Sequence, residues 1–215
     1  MSRSDDEAIP NLAIASPQKT GLAMTEVGMD KLIEQIFQES IAVKQATLKA
    51  NKELIKKAAE TVIVALKNNH RLFFFGNGGS AADSQHIAAE FIGRFQKERR
   101  SLPAIALTTD TSILTALGND YGFDIVFARQ LEGLGQAGDV AVGISTSGNS
   151  KNVLEGLKKA KTLGLKTIGF LGCDGGKIAP VCDVAIIVPS KVTARIQESQ
   201  LCIAHTICQL AEEAF

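Results

Sequence analysis

The chain has 215 residues, 45% hydrophobic and 21% charged, which suits one soluble domain with a core that needs no staple. Lys plus Arg (23) equals Asp plus Glu (23), so no global basic field would attract nucleic acid and any phosphate recognition must be local. No apolar run reaches the ~20 residues of a membrane span, and the N-terminus lacks the apolar core of a signal peptide, which implies a cytoplasmic protein. Cys173, Cys182, Cys202 and Cys208 contain no CxxC pair; they read as buried or free thiols in a reducing compartment rather than a thiolate zinc site.

Residues 1–24 carry Pro10 and Pro17 and no steady periodicity, so they are expected to be a poorly ordered tail. From residue 25 to 215 the chain reads as a single domain. Two helical patterns come first. Ile33, Ile36, Phe37, Ile41 and Leu48 fall close to one stripe; Leu54, Ile55, Ala58, Ala59, Val62, Ile63 and Leu66 form a cleaner one, closed by Asn68-Asn69. Short, wholly apolar runs follow at 72–75, 104–107, 140–144, 167–171 and 184–188. Helices fit between and after them at about 80–93, 111–118, 123–136, 150–163 and 194–213. Short apolar runs alternating with helical stretches predict an α/β protein whose mostly parallel five-stranded sheet is buried on both faces.

Ligands of open parallel sheets bind beyond the carboxyl ends of the strands. Two such ends are small and polar: Gly76-Asn77-Gly78-Gly79-Ser80 and Ser145-Thr146-Ser147-Gly148-Asn149-Ser150. The second sets four hydroxyls at a helix N-terminus, where unpaired N–H groups and partial positive charge favour a phosphate. It has no Lys, so it is not a Walker-type loop. It reads equally as a solvated loop with Ser147 or Asn149 as an N-cap. The first loop lacks full GxGxxG spacing and could be a tight turn capped by Ser80. His86 and Glu90, four apart, share one helix face and could hold a metal or relay a proton, or form a plain surface pair. His205, amid Leu201, Ile203, Ala204 and Ile207, reads as a packed core residue. Asn119-Asp120 reads as a turn after a helix end at Gly118.

Together, Gly-Asn-Gly-Gly-Ser-Ala and Ser-Thr-Ser-Gly-Asn-Ser, with Asp174-Gly175-Gly176 and Ala194-Arg195-Ile196-Gln197-Glu198, resemble the sugar isomerase (SIS) domain family from about Leu72 onward. Within it the chain is most similar to the phosphoheptose isomerases, which the two leading helices also suit. The resemblance implies a three-layer sandwich and an aldose–ketose isomerase acting on sedoheptulose 7-phosphate through an enediol, feeding heptose biosynthesis. It implies Glu90 and His205 as the acid–base pair and one Zn2+ per subunit on His86, Glu90, Gln197 and His205. Sugar hydroxyls would meet Asn77, Ser80, Asp120 and Gln197, with Gly78, Gly79 and Asn119 beside them; Ser145, Thr146, Ser147 and Ser150 would hold the phosphate. It also implies a homotetramer.

Gln197 and His205, eight residues apart, differ by ~12 Å along a straight helix axis. Reaching one metal would therefore need leaning side chains, a bent helix or a subunit interface. Two positions depart from the pattern: Ala194 stands where some isomerases have a sugar-binding Asp, and Gln200 where some have a second His. A non-catalytic SIS adaptor that binds the replication initiator is the alternative; there the positions of Glu90 and His205 hold non-catalytic residues. SIS transcription regulators carry a separate DNA-binding domain, and the residues before the first strand include no basic recognition helix.

Overall fold

The computed structural model describes residues 26–215, so the expected tail over 1–24 lies outside the described residues. The chain divides into two compact units at Gln35–Ile36. The first contributes the opening turns of a long helix, α1 (Glu26–Lys67). The second, Ile36–Phe215, holds everything else.

One expectation is corrected at once. The two apolar patterns before the sheet belong to one continuous 42-residue helix rather than two. Neither a proline nor a glycine interrupts residues 29–67, so nothing breaks the backbone ladder between the patterns. Asn69, at φ 61°, provides the left-handed residue that ends it.

The rest is β1 (Leu72–Phe75), α2 (Gly79–Ile92), β2 (Ala104–Ala106), α3 (Thr111–Tyr121), α4 (Val126–Leu134), β3 (Val140–Ser145), α5 (Lys151–Thr162), β4 (Lys166–Leu171), β5 (Val184–Ile187) and α6 (Thr193–Glu212). The helix expected over 123–136 opens as a separate 3-10 turn, Phe123–Ile125, before α4. α3 runs through Gly118 to Tyr121, so Asn119 and Asp120 form its last turn rather than a loop after it.

All five strands are parallel, in the order β2-β1-β3-β4-β5. Successive strand residues point to opposite faces. Leu72 and Phe74 join a core with Ile55, Val62 and Leu66 of α1, Phe91 of α2, and Ile203 and Ile207 of α6. Phe73 and Phe75 join a second core with Phe127 and Leu131 of α4 and Val153 and Leu157 of α5. The result is three layers, with the sheet buried on both faces as its unbroken apolar runs require. The chain order runs outward from β1 to β2 and then back past β1 to β3. The ends of β1 and β3 are therefore neighbours at the point where the strand order reverses, which is where open α/β sheets form a crevice.

The turn after α2 is tied to the end of α6. The buried Glu212 carboxylate accepts the backbone N–H groups of Phe95, Gln96 and Lys97 at 2.9, 2.8 and 2.9 Å. Burial pushes its pKa up, but those three N–H groups and the Arg99 guanidinium outweigh it and hold the carboxyl below its usual range. A depressed folded-state pKa contributes stability that is present above the unfolded value, about 4.3, and is lost as pH falls through the folded value. Glu212→Gln should therefore lower the thermal midpoint at neutral pH and make its decline below about pH 5 shallower; an unchanged acid limb in a midpoint-versus-pH series would contradict this.

Candidate functional site

The loops after β1 and β3 lie side by side because their strands pair, Phe75 opposite Gly143. Gly76 permits the approach: a Cβ there would stand 2.9 Å from the Ile144 carbonyl oxygen and 2.7 Å from Ser80 Cβ. Two amides then clasp the loops. Asn77 Nδ2 donates to Asn152 Oδ1 at 2.9 Å, and Asn152 Nδ2 donates back to Asn77 Oδ1 at 2.8 Å. Asn152 is buried in the first turn of α5, and its Oδ1 also accepts the Val153 N–H at 2.9 Å. Sequence reasoning misses Asn152, whose only signal is an amide just inside a helix that leaves a polar loop.

The second loop forms a compact cup. The N-cap of α5 is Ser150, not Ser147 or Asn149, and its hydroxyl pairs with that of buried Ser145 at 3.0 Å instead of capping the helix. Thr146 is half-buried and Ser147 exposed. Asn149 folds back on Ser147, its Nδ2 donating to the Ser147 carbonyl at 2.8 Å. Gly175-Gly176 supports the cup from behind: Ile178 N–H donates to the Gly148 carbonyl at 3.0 Å and Lys177 N–H to Asn149 Oδ1 at 3.1 Å. Gly148, at φ 67°, has Gly175 backbone where a Cβ would go, so no larger residue fits. Among the other expected residues, Gly78 (φ 55°) is the N-cap of α2, Gly79 begins that helix, and Ser80 is buried one residue on.

The titratable cluster lies where α2 and α6 run side by side. Gln197 packs over Gly79, His205 meets His86, and Glu212 reaches Phe95, so the two helices are parallel. His86 Nε2 lies 3.1 Å from Glu90 Oε1 and 3.0 Å from His205 Nε2. The Phe95 ring covers His205, centroid to centroid 5.3 Å. Candidate ligand atoms of His86, Glu90 and His205 all lie within 4.8 Å of one another. A single imidazole nitrogen is either a donor or an acceptor along one direction. It cannot make good hydrogen bonds to both neighbours, whereas a cation between the three satisfies all of them. The spacing suits this: donors about 2.0 Å from a tetrahedral centre stand about 3.3 Å apart. Thus His205, read alone as a core residue, is half-buried and faces the cluster.

Around the cluster the other groups stay quiet. Burial pushes the Asp83 carboxyl up, against the pull of His86 one turn on. Burial pushes the Cys208 thiol up to about 12, with Glu90 adding to the effect, so it stays neutral and is a poor ligand.

The remaining expected residues are spread more widely. Gln197 lies over Gly79, two turns of α2 before His86; an added Cβ on Gly79 would meet its Nε2 at 2.5 Å. Asn119 and Asp120 are exposed and bonded to each other, Nδ2 to Oδ1 at 2.8 Å. Of the two departures, Ala194 is exposed, while Gln200 is buried and donates to the Phe170 carbonyl at 2.8 Å, a core role.

A three-layer parallel α/β protein with polar cups at its switch point, flanked by a His/Glu/His cluster, is a small-molecule site of the kind that binds phosphorylated metabolites. The chain belongs to the SIS domain family, whose model matches residues 35–172. It is 57% identical over 187 residues to the phosphoheptose isomerase of a Nitratiruptor species, covering 86% of this chain and 100% of that one. It is 57% identical over 181 residues to that of Aquifex aeolicus, covering 84% and 95%. The solved phosphoheptose isomerase of Neisseria gonorrhoeae superposes with a TM-score of 0.82 at 47% identity, covering 86% of this chain and 99% of that one.

The amide clasp gives a direct test. Asn152→Ala removes both cross-loop hydrogen bonds and the Val153 cap, and should cost about 1–3 kcal/mol in urea unfolding; a wild-type midpoint would mean that the pair contributes nothing.

Proposed function

We propose that this chain is a cytoplasmic aldose–ketose isomerase that converts sedoheptulose 7-phosphate to D-glycero-D-manno-heptose 7-phosphate through an enediol, feeding heptose biosynthesis. The observation that carries the chemistry is the convergence of His86, Glu90 and His205 between α2, the helix that leaves the first switch-point loop, and α6. The choice of sugar rests on the near full-length relatives named phosphoheptose isomerase.

Enolisation needs a base at the carbon next to the carbonyl and a group that moves protons between the two oxygens. Glu90 takes the proton from C1 of the open-chain ketose and returns it at C2. His205 carries the proton between the oxygens. Phe95 and the cores behind α2 and α6 shield one side of the pair from water. Zn2+ on His86, Glu90 and His205 would supply polarisation of the carbonyl; Gln197, the fourth position by resemblance, stands over Gly79 in this chain, two turns of α2 from His86. Ser145, Thr146, Ser147 and Ser150 hold the phosphate in their cup. Asn77, Gly78, Gly79, Ser80, Asn119, Asp120 and Gln197 serve the sugar. Glu90 and His205 are chemically competent for this work, which sets the chain apart from the adaptor reading.

Glu90→Gln should bind the sugar phosphate with nearly wild-type affinity and lose two to four orders of magnitude in kcat, on the scale of a missing general base. Near wild-type turnover in an NMR assay would remove Glu90 as the base. Loss of activity with a chelator, restored by zinc and not by magnesium, would support the metal assignment; indifference to chelation would remove it.

We also propose that the subunits form a homotetramer. In α1, Ile36, Phe37, Ile41 and Leu48 are exposed, whereas the stripe after Ile55 is buried on the sheet. Leu48 and Ile55 of α1 join Ile203 and Leu210 of α6 around a largely apolar groove of about 560 Å³. α3 buries no residue in the single chain. A second copy is an occupant of matching apolar character. Sedimentation equilibrium should give four times 22.8 kDa, and a monomer at micromolar concentration would contradict the assembly.

A further inference from the structure

Arg99 and Glu212 are a buried ion pair, with side chains 3% and 2% exposed and Arg99 Nε 3.4 Å from Glu212 Oε1. A buried ion pair is costly to desolvate, and well-packed apolar residues would serve stability as well. What distinguishes this pair is where its remaining bonds go. Arg99 Nη2 donates to the carbonyl of Glu90 at 2.8 Å. Its Nη1 donates to the carbonyls of Phe91, Gly93 and Arg100 at 2.9, 3.1 and 3.0 Å. The Glu90 and Phe91 carbonyls belong to the last turn of α2, which a helix leaves unpaired, and a cation there also suits the helix dipole. On the other side, Glu212 holds the backbone N–H of Phe95, whose ring lies on His205. The guanidinium thus grips the backbone of Glu90, and the carboxylate grips the residue that packs the His205 imidazole.

We propose that Arg99 and Glu212 are a positioning pair that sets the separation and orientation of Glu90 and His205. The pair joins the end of α2 to the end of α6, the two helices that supply the acid, the base and the metal donors. The inference rests on the isomerase reading for its catalytic consequence, but its geometric content does not. A displacement of the order of 1 Å at such a centre lowers a rate by about 100-fold, and loss of a partner that orients metal ligands weakens metal affinity by about 10–100-fold.

The test compares Arg99→Lys and Glu212→Gln with Leu131→Ala, a fully buried residue of α4 on the opposite face of the sheet. Lysine keeps the charge but cannot fork to four carbonyls. Both variants of the pair should lose at least about 10-fold in kcat with KM within about two-fold, because the phosphate cup is untouched, and should bind zinc about 10-fold more weakly. Leu131→Ala should lose as much in thermal midpoint while keeping wild-type kcat and zinc affinity. If the pair variants behave like Leu131→Ala, the pair is merely structural and the proposal is overturned. If wild-type protein isomerises no heptose phosphate, the isomerase reading fails, and the imidazole ¹⁵N signals of His86 and His205 in metal-free protein decide the positioning claim. Shifts in Arg99→Lys that are absent in Leu131→Ala support it, and unmoved signals overturn it. Should the pair variants fail to fold, Phe95→Leu keeps the ion pair and removes the ring from His205. It should shift the His205 signals and lower kcat several-fold, whereas wild-type values in both would overturn the proposal.

Discussion

The pairing of β1 with β3 is the constraint on which the remainder depends. Because β2 lies outside β1, the chain must cross back, and the loops after two non-consecutive strands become neighbours. Every feature of the crevice follows from that adjacency. The Asn77–Asn152 clasp can form only if the two loops are side by side. Gly76 must be a glycine because the β3 backbone lies where a Cβ would go. α2, leaving the first loop, is then directed along the sheet toward α6, the last helix to be placed. A slip of one residue in that register would turn Leu72 and Phe74 away from α1, α2 and α6 and separate the loops at once.

Two different chemistries sit on this frame. The loop side is neutral: amides, hydroxyls and glycines, with backbone donors at helix starts. It suits an anion whose charge must be balanced without a lysine. The helix side carries the charged and titratable groups. Those meant to be still are buried and held by several hydrogen bonds each, as Glu212 and Arg99 are. Those meant to react compete for one atom, as the contact of both Glu90 and His205 with His86 Nε2 shows. An isomerase needs this separation, because the phosphate fixes one end of the substrate while protons move at the other.

Much of the fold is legible in the sequence. The five apolar runs and the small polar ends of β1 and β3 follow from periodicity and composition, and the observed strands and helices fall within a few residues of those limits. The single long α1 looks like two helices because its stripe shifts near Asn51: the later part is buried on the sheet, the earlier part faces outward. A change in what a helix faces looks, in sequence, like a change of helix. Asn119 and Asp120 look like a turn because Gly118 weakens the helical pattern, yet the helix continues one turn further.

The candidate site is legible only in pieces. His86 and Glu90 share a turn, so their spacing says they meet. His205 lies 119 residues from His86, and no local rule joins them. Arg99 and Glu212 give no signal at all, since a surface pair and a buried one look identical in composition. The eight-residue gap between Gln197 and His205 is informative: the structure sets the two at different heights along α2, over Gly79 and beside His86.

The step that defines this isomerase is the movement of a proton through an enediol by a base on α2. Its most direct test is to incubate the protein with sedoheptulose 7-phosphate in D2O and follow the products by NMR. An aldose heptose 7-phosphate is expected, carrying solvent deuterium at C2 in those turnovers in which the proton held by Glu90 exchanges before it returns. Absence of any aldose would contradict it.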